Sequence, residues 1–298
     1  MFLRLLTPTL LGVFLAGCAQ LAPQQPAPPI TQPPVAAKKL PKIGLALGGG
    51  AARGFAHIGV IQVLEEAGIQ VDLVVGTSAG SLVAALYASG QNGQSLQRVA
   101  QSMDEATFSD WRWPLFKPGV LRGEALARFV AAQVRGQQIQ DLPLPLGVVA
   151  TDLQSGQGVL FQRGDVATAV RASSAVPAVF QPVSIGGRDY VDGGLVSPVP
   201  VSQAQKMGAE LVIAVDISND PESQVTQDTL QVLLQTFTIM GKSINAFELR
   251  SADLVIRPQQ KGLASASFAS RQAAIQAGRQ AMTAQLPQLR QLVLAKSK

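Results

Sequence analysis

Short apolar runs rich in valine, isoleucine and leucine recur along the chain from residue 42 onward. They read KIGLAL, VDLVVG, LPLGVVATD, LVIAVDI and ADLVIRP, and stretches with helical periodicity separate them. Apolar runs that do not alternate with polar residues predict strands buried on both faces, as in a parallel sheet covered by helices. The pattern therefore predicts an α/β fold for residues 42–298, with a mainly parallel central sheet flanked by helices.

Two longer stretches near the carboxyl end carry helical periodicity. They span about residues 228–249 and 270–294. Proline inside a helix removes a backbone hydrogen bond, so Pro287 predicts an interruption of the second helix. We expect both helices to cover a face of the sheet.

The amino-terminal residues follow a different pattern. Arg4 precedes an apolar run from Leu5 to Leu15, and small residues lead to Cys18, the single cysteine of the chain. This arrangement predicts a secretion signal over residues 1–17, because the run is too short and too interrupted to span a bilayer. The sequence LAGC before and at Cys18 resembles the lipobox of bacterial lipoproteins, which implies that Cys18 is acylated and becomes the first mature residue.

The residues after Cys18 predict a tether and a location. The stretch AQLAPQQPAPPITQPPVAA is rich in proline and glutamine and carries no charge, so residues 18–41 are expected to form an extended linker. Ala19 stands where lipoproteins retained in the inner membrane commonly have aspartate. The lipobox resemblance therefore implies a lipid-anchored protein of the bacterial cell envelope, held in the outer membrane and facing the periplasm.

Charge narrows the range of partners. The chain has 24 Lys and Arg against 19 Asp and Glu, which gives a net charge of +5. This excess is compatible with contact at an anionic membrane surface, and it is spread along the chain instead of forming a basic stripe. The sequence has neither a basic stripe interleaved with aromatics nor metal-finger spacing, so we expect no nucleic-acid partner.

Ser78 is the first candidate for chemistry. It lies in VVGTSAGSLVAALY, where a buried run, a G-x-S-x-G corner and a helical pattern follow one another. Such a corner on a strand-to-helix turn exposes a serine hydroxyl as a nucleophile, although serine also favours the N-cap of an ordinary helix. The single histidine, His57, precedes the serine in the chain, and we expect it to pack or to bond a loop instead of catalysing.

A glycine-rich segment, GLALGGGAARG, follows the first predicted strand. Gly48, Gly49 and Gly50 allow close approach of the backbone, and we expect their N–H groups to form an oxyanion hole beside Ser78. Arg53 lies near that anion or a substrate phosphate, or else forms a salt bridge that stabilises the loop. A nucleotide-binding loop is a further interpretation, but the glycine spacing is one residue too long for the dinucleotide pattern.

The third block is QPVSIGGRDYVDGGLVSPVP, in which Asp192 precedes a glycine pair. An isolated Asp-Gly-Gly is often only a turn. Here the blocks G-G-G-x-x-R-G, G-T-S-A-G and D-G-G come in order at the ends of predicted strands, and together they resemble the patatin-like phospholipase family. Asp152, Asp189 and Asp216 are rival acids that border other apolar runs.

The resemblance covers about residues 42–216 and implies a three-layer patatin-like fold. It implies that Ser78 attacks an acyl ester and that Asp192 takes the proton, with no cofactor and no metal. The predicted function is a membrane-tethered serine acyl hydrolase, similar to phospholipase A or lysophospholipase, acting on membrane lipids or lysolipids. The alternative is a lipoprotein that binds lipid or a partner without catalysis. Trp111 and Trp113 either fill a core or form a lipid-contacting lid.

Overall fold

The computed structural model describes residues 39–103, 121–218, 229–260 and 270–298. The predictions for the signal segment, for Cys18 and its tether, and for the Trp111 and Trp113 pair lie outside these described residues. The strands are β1 (Ile43–Leu47), β2 (Leu73–Thr77), β3 (Leu146–Asp152), β4 (Gly158–Phe161), β5 (Val183–Ile185), β6 (Arg188–Asp192), β7 (Leu211–Val215) and β8 (Leu254–Ile256). The α-helices are α1 (Phe55–Glu66), α2 (Ala79–Ala88), α3 (Gly93–Ser102), α4 (Glu124–Gln133), α5 (Val166–Ser173), α6 (Val201–Lys206), α7 (Thr229–Glu248) and α8 (Arg271–Lys296).

The described strands form a single sheet in the order β5-β6-β3-β2-β1-β7-β8, and β4 also pairs with β3. The pairs from β3 through β2, β1 and β7 to β8 are parallel. The predicted mainly parallel sheet is confirmed. Each of its five parallel strands falls on one of the five apolar runs. β4, β5 and β6 pair antiparallel and lie outside the five apolar runs, since they are short and partly exposed. Of these three strands, only the one that ends at the D-G-G block, β6, was expected.

Successive residues of the central strands point into two different cores. Leu45 and Leu47 of β1 pack in a cluster with α1, α2 and α8, whereas Ala46 packs on the opposite face with Ala204 of α6. Helices therefore cover both faces of the sheet, and the predicted three-layer fold is confirmed.

The strand β3 carries two other strands end to end along one of its edges. β2 pairs in parallel with the first part of β3, and β6 pairs antiparallel with its last three residues. β4 pairs with residues of β3 that both of these strands also use, so it lies on the opposite edge. Thr77 at the end of β2 is opposite Val149, and Asp192 at the end of β6 is opposite Ala150. The two strand ends therefore face each other at adjacent register positions.

Helix α8 runs through Pro287 without a break, so the predicted interruption is wrong. The proline deprives the Thr283 carbonyl of its helical partner, but both residues are exposed and water can bond that carbonyl. Met282 and Leu289, on either side of the proline, are fully buried and hold the helix in one piece.

The two long helices differ in how they pack. α8 lies against α1, where a side chain at Gly59 or Gly278 would collide with the backbone of the other helix. α7 has one buried residue, Asn245, and contacts the turns around residues 193–195 and 249–251, so the prediction that it covers a sheet face is wrong. None of the helices in the described ranges combines the length and the apolarity needed to cross a bilayer.

Candidate active site

Ser78 occupies a sharp turn between β2 and α2. Its backbone has φ 53° and ψ −124°, and a positive φ is strained for a residue with a side chain. The glycines of the motif make the turn possible, because a side chain at Gly76 would collide with the backbone of Gly80, and one at Gly80 with that of Leu47. The Ser78 side chain makes no capping hydrogen bond to α2, so its interpretation as an ordinary N-cap is wrong.

Asp192 meets this serine because β6 ends where β2 ends. The Ser78 hydroxyl lies close enough to the Asp192 carboxylate to lower its pKa, and this carboxylate accepts the Gly194 N–H at 2.7 Å. The backbone of Asp192 is held as well, since its carbonyl accepts the Thr151 hydroxyl at 2.8 Å and its N–H donates to Ala175 at 2.9 Å. The structure therefore brings together the serine and the acid that the sequence motifs indicate.

The environment of Asp192 changes its acidity. The residue is 8% exposed, and this burial raises the pKa of its carboxyl to about 6, although the hydrogen bonds from Ser78 and Gly194 lower it. An unperturbed aspartate has a pKa of about 3.9. A carboxylate with a raised pKa is a stronger base that is still ionised at neutral pH, which suits it to accept a proton from serine.

Ester hydrolysis should therefore slow as the pH falls through about 6, because Asp192 accepts the serine proton only in its ionised form. The measurement is kcat/KM for a short-chain ester between about pH 4.5 and 8. We expect a plateau at neutral pH and a decline of about tenfold per pH unit on the acid side. A flat profile in protein that stays folded would show that this carboxylate is not the base.

The rival acids lie elsewhere and bond to other groups. Their partners are Arg188 for Asp152, Ser184 for Asp189, and Arg257 for Asp216. The Arg188 guanidinium holds the pKa of Asp152 down at about 2, which makes that carboxylate a weak base. Within the described part of the chain, no group of three or more His, Cys, Asp or Glu side chains could hold a metal ion.

The glycine loop lies beside the nucleophile, but two of its amides already have acceptors. The Gly48 N–H donates to the Val215 carbonyl at 3.1 Å, and the Gly49 N–H donates to the Pro198 carbonyl at 2.9 Å. These two amides hold the loop in place, which corrects the predicted oxyanion role for them and leaves Gly50 as the predicted donor. Gly49 is nevertheless close to the site, since a Cβ placed on it would be 3.2 Å from the Cβ of Ser78.

His57 forms a hydrogen bond to the glycine loop. The ring is fully buried, and its Nε2 lies 2.8 Å from the Gly48 carbonyl oxygen. Burial lowers the pKa of His57 to about 4, so the ring is neutral at pH 7 and Nε2 donates to that carbonyl. The expectation that this histidine bonds a loop is confirmed.

Arg53 is also buried, at 8% exposed. Burial lowers the pKa of its guanidinium to about 10, and the negative charge of Asp216 acts in the opposite direction. The guanidinium is charged at neutral pH, and the proximity of Asp216 favours the loop-stabilising interpretation over binding of a substrate anion.

Ser173 belongs to the site and was missed by sequence reasoning. It ends α5, and its hydroxyl oxygen accepts the Ser78 N–H at 2.8 Å while its own hydrogen is donated to the Val149 carbonyl. It therefore links the Ser78 turn to Val149 of β3. The next residue of β3, Ala150, is the one that pairs with Asp192. The segment VRASSAVP around it carried the family resemblance, but nothing in that pattern distinguishes Ser173 from Ser174.

The fold and the site together define a three-layer α/β protein with a serine–aspartate pair at the meeting point of two strands. Residues 45–204, more than half of the chain, match the family model described as patatin-like phospholipase. The chain belongs to the patatin-like phospholipase family.

Relatives at moderate identity agree with this assignment. An uncharacterized NTE family protein of Mycobacterium tuberculosis is 37% identical over 204 residues, which are 66% of this chain and 56% of that protein. Human patatin-like phospholipase domain-containing protein 6 is 35% identical over 192 residues, 62% of this chain and 14% of that protein. Lysophospholipase nte1 of Aspergillus fumigatus is 34% identical over 201 residues, 65% of this chain and 13% of that protein. The match thus spans about half of the mycobacterial relative and a small part of the other two.

A solved structure shares the fold. VipD from Legionella pneumophila superposes with a TM-score of 0.54 at 14% identity, covering 88% of this chain and 70% of that one. At this identity the likeness concerns the fold alone.

Proposed function

We propose that this protein is a serine hydrolase that cleaves the acyl esters of membrane lipids or lysolipids. The observation that carries the proposal is the position of the buried Asp192 carboxylate beside the Ser78 hydroxyl at a strained strand-to-helix turn. A basic group in direct contact with a serine hydroxyl is the arrangement that activates it as a nucleophile. In this proposal no histidine is needed, because the carboxylate itself receives the proton.

The reaction follows from the positions of these groups. Ser78 Oγ attacks the acyl carbonyl while Asp192 accepts its proton, which gives a tetrahedral intermediate with a negatively charged oxygen. The Gly50 amide and the first amides of α2, which lack acceptors within the helix, stabilise this oxygen. Asp192 then returns the proton to the leaving alcohol and leaves the acyl group on Ser78. Water then attacks the acyl-enzyme while Asp192 accepts its proton, and Asp192 passes that proton to Ser78 Oγ as the bond to the acyl group breaks and the fatty acid is released.

The names of the relatives support lipids as the substrate class. The fungal relative is named a lysophospholipase and the human one a patatin-like phospholipase domain-containing protein. Lysophospholipids are therefore the first substrates to test.

Labelling with a fluorophosphonate probe tests the proposed nucleophile without knowledge of the substrate. The folded wild-type protein should be labelled, whereas heat-denatured protein and Ser78→Ala should not. Ser89→Ala is the matched control, because it removes a serine hydroxyl at the far end of α2 that donates to the Leu86 carbonyl. A folded wild-type protein that takes no label would favour the alternative, a lipoprotein that binds lipid or a partner without catalysis.

We also propose that an acylated Cys18 anchors the protein in the outer membrane, facing the periplasm. The signal-like residues 1–17, the lipobox-like LAGC and Ala19 support this location. The proline-rich tether would allow the folded part to reach the membrane surface.

Cys18→Ser should move the protein from the membrane fraction to the soluble fraction after a high-salt wash. A multiply acylated terminus binds a bilayer far more tightly than peripheral contacts do, and serine cannot form the thioether on which that acylation depends. Fractionation with immunodetection measures the effect, and Ala19→Ser, which keeps the cysteine, is the control. An unchanged membrane fraction for Cys18→Ser would contradict the anchor.

A further inference from the structure

Helix α7 has its polar side turned inward. Asn245 is 4% exposed and its Oδ1 accepts the Val199 N–H at 3.1 Å. The Glu248 carboxylate accepts both the N–H and the hydroxyl of Ser202, at 3.0 and 2.8 Å. Gly241 on the same side packs near Pro198. Leu234, Phe237 and Ile244 on this side are half-buried. Hydrogen bonds and a few apolar residues therefore fix the helix to the protein, and its large apolar side chains also occur on the exposed side.

The opposite side of α7 is apolar and exposed. We define its outer face by Val232, Leu233, Ile239, Met240 and Phe247, which are 38–71% exposed. Val232, Ile239 and Phe247 recur at spacings of seven and eight residues, so they line one side of the helix over about 22 Å. Exposed Thr236 and Ser243 lie among these residues and donate their hydroxyls to the Val232 and Ile239 carbonyls. The outer face is therefore mainly apolar, and an exposed face of this kind marks a surface that contacts something apolar.

Among the described residues of α7 and of the turn at residues 249–251, the charges beside the outer face are basic. The two charged residues of α7 are Lys242, which is exposed, and Glu248, which is turned inward to Ser202. Just beyond the helix, the Arg250 guanidinium lies 5.2 Å from the centre of the Phe247 ring. Apolar residues bordered by cations and an aromatic ring suit the boundary between the acyl chains and the anionic headgroups of a lipid layer.

Helix α7 lies next to the chain segment that carries Asp192, so its outer face is close to the active site. The helix contacts the turn formed by residues 193–195, which follows Asp192 in the chain. It is held by Pro198, Val199 and Ser202, which come shortly after that turn. A second copy of the chain suits the outer face less well. A symmetric contact between two outer faces would bring two basic helices together with no acidic side chain of α7 between them, because Glu248 is turned inward.

We infer that the outer face of α7 docks the protein on the surface of an anionic lipid layer and so brings the Ser78 site to its substrate. The choice of a lipid occupant rests on the proposed function, in which the substrate is a membrane lipid. The apolar side chains enter the layer to the level of the headgroups, and Lys242 and Arg250 contact the headgroup phosphates.

The test uses the full chain carrying Cys18→Ser, so that an acyl anchor does not mask the contact. Sedimentation with vesicles of equal parts phosphatidylglycerol and phosphatidylcholine measures binding. The combined variant Ile239→Ser, Met240→Ser, Phe247→Ser should bind about tenfold or more weakly, because three apolar side chains no longer enter the layer. The control is Leu40→Ser with Leu294→Ser, which removes two apolar residues that are 64% and 69% exposed outside the outer face and should bind normally.

Two further measurements separate the possible outcomes. Hydrolysis of a short-chain soluble ester should stay within about twofold in the triple variant, because its three residues make no contact with Ser78 or Asp192. Loss of ester hydrolysis in every form, with vesicle binding behaving as expected, would refute the proposed function and leave the docking face intact. Normal vesicle binding by the triple variant would overturn the inference. So would equal binding to vesicles of phosphatidylcholine alone, or a dimer in analytical ultracentrifugation that the triple variant dissociates.

Discussion

Ser78→Ala and Asp192→Asn should each reduce hydrolysis of a short-chain ester by about a thousandfold or more, and the double variant should be little slower than either. The reason is that the two side chains act as one unit, with the Asp192 carboxylate beside the Ser78 hydroxyl. A serine without its base is a weak nucleophile, and a base without the serine has nothing to activate. Steady-state kinetics of the three variants with one ester and one lysophospholipid measure the effect.

Asp192→Asn should fold normally, which makes the comparison valid. The raised pKa of Asp192 means that its carboxyl stabilises the fold below the unfolded pKa near 3.8, and that this contribution is lost as the pH rises through about 6. At pH 7 the buried charge therefore costs up to about 3 kcal/mol, which asparagine removes. Thermal unfolding at pH 7 should consequently show a Tm for Asp192→Asn that is no lower than that of the wild type.

His57→Ala is the matched control for this experiment. It removes a buried, neutral ring that holds the Gly48 carbonyl, so we expect the activity to stay within about tenfold of the wild type. If folded His57→Ala were as inactive as Asp192→Asn, the serine–aspartate assignment would be wrong. An active Asp192→Asn would send the search for a base to Asp152 or Asp216.

Gly49→Val should lower activity by about a hundredfold while the protein remains folded. The Cβ of any residue at this position would lie 3.2 Å from the Cβ of Ser78 and 3.5 Å from the Thr77 carbonyl oxygen. The further methyl groups of valine have no room there unless the loop or the nucleophile turn moves, and a displacement of about 1 Å from reacting geometry costs about this much. The effect is steric, because the Gly49 amide already donates to Pro198.

A graded series checks this explanation. Gly49→Ala adds the Cβ alone, at a distance that a small shift can relieve, so its loss should be clearly smaller than that of valine. Steady-state kinetics and Tm should be measured on both variants. Full activity of Gly49→Val would show that this side of Ser78 is open and that the substrate carbonyl lies elsewhere.

The sequence pattern predicted the parallel part of the fold well, because strands buried on both faces read as long apolar runs. The predictions were wrong where contacts between residues distant in the chain outweighed local sequence preferences. Pro287 does not break α8, since buried Met282 and Leu289 outweigh one lost hydrogen bond. The antiparallel strand β6, which carries Asp192, has two exposed or half-exposed residues at its start, so it does not read as a long apolar run and its antiparallel direction was not predicted.

The sequence predicted which residues form the serine–aspartate pair, but it did not predict the hydrogen bonds that surround the pair. The motifs indicated Ser78 and Asp192, because the three glycine-containing blocks come in order at strand ends and together resemble those of the patatin-like phospholipase family. The hydrogen bonds of the Gly48 and Gly49 amides depend on Val215 and Pro198, which are remote in sequence and leave no local signal. Ser173 was missed for the same reason, since its role comes from contact with the Ser78 amide across the fold.

β2 and β6 lie end to end along β3. The register of each of these strands against β3 therefore sets the distance between Ser78 and Asp192. A slip of β6 by one residue would turn the Asp192 side chain to the opposite face of the sheet and abolish its contact with the serine. Both pairings join segments far apart in the chain, so they close late relative to local helices during folding. An unfolded or partly folded chain therefore has no assembled serine–aspartate pair. In refolding experiments, the return of hydrolytic activity should report completion of the sheet and not the earlier collapse of the chain.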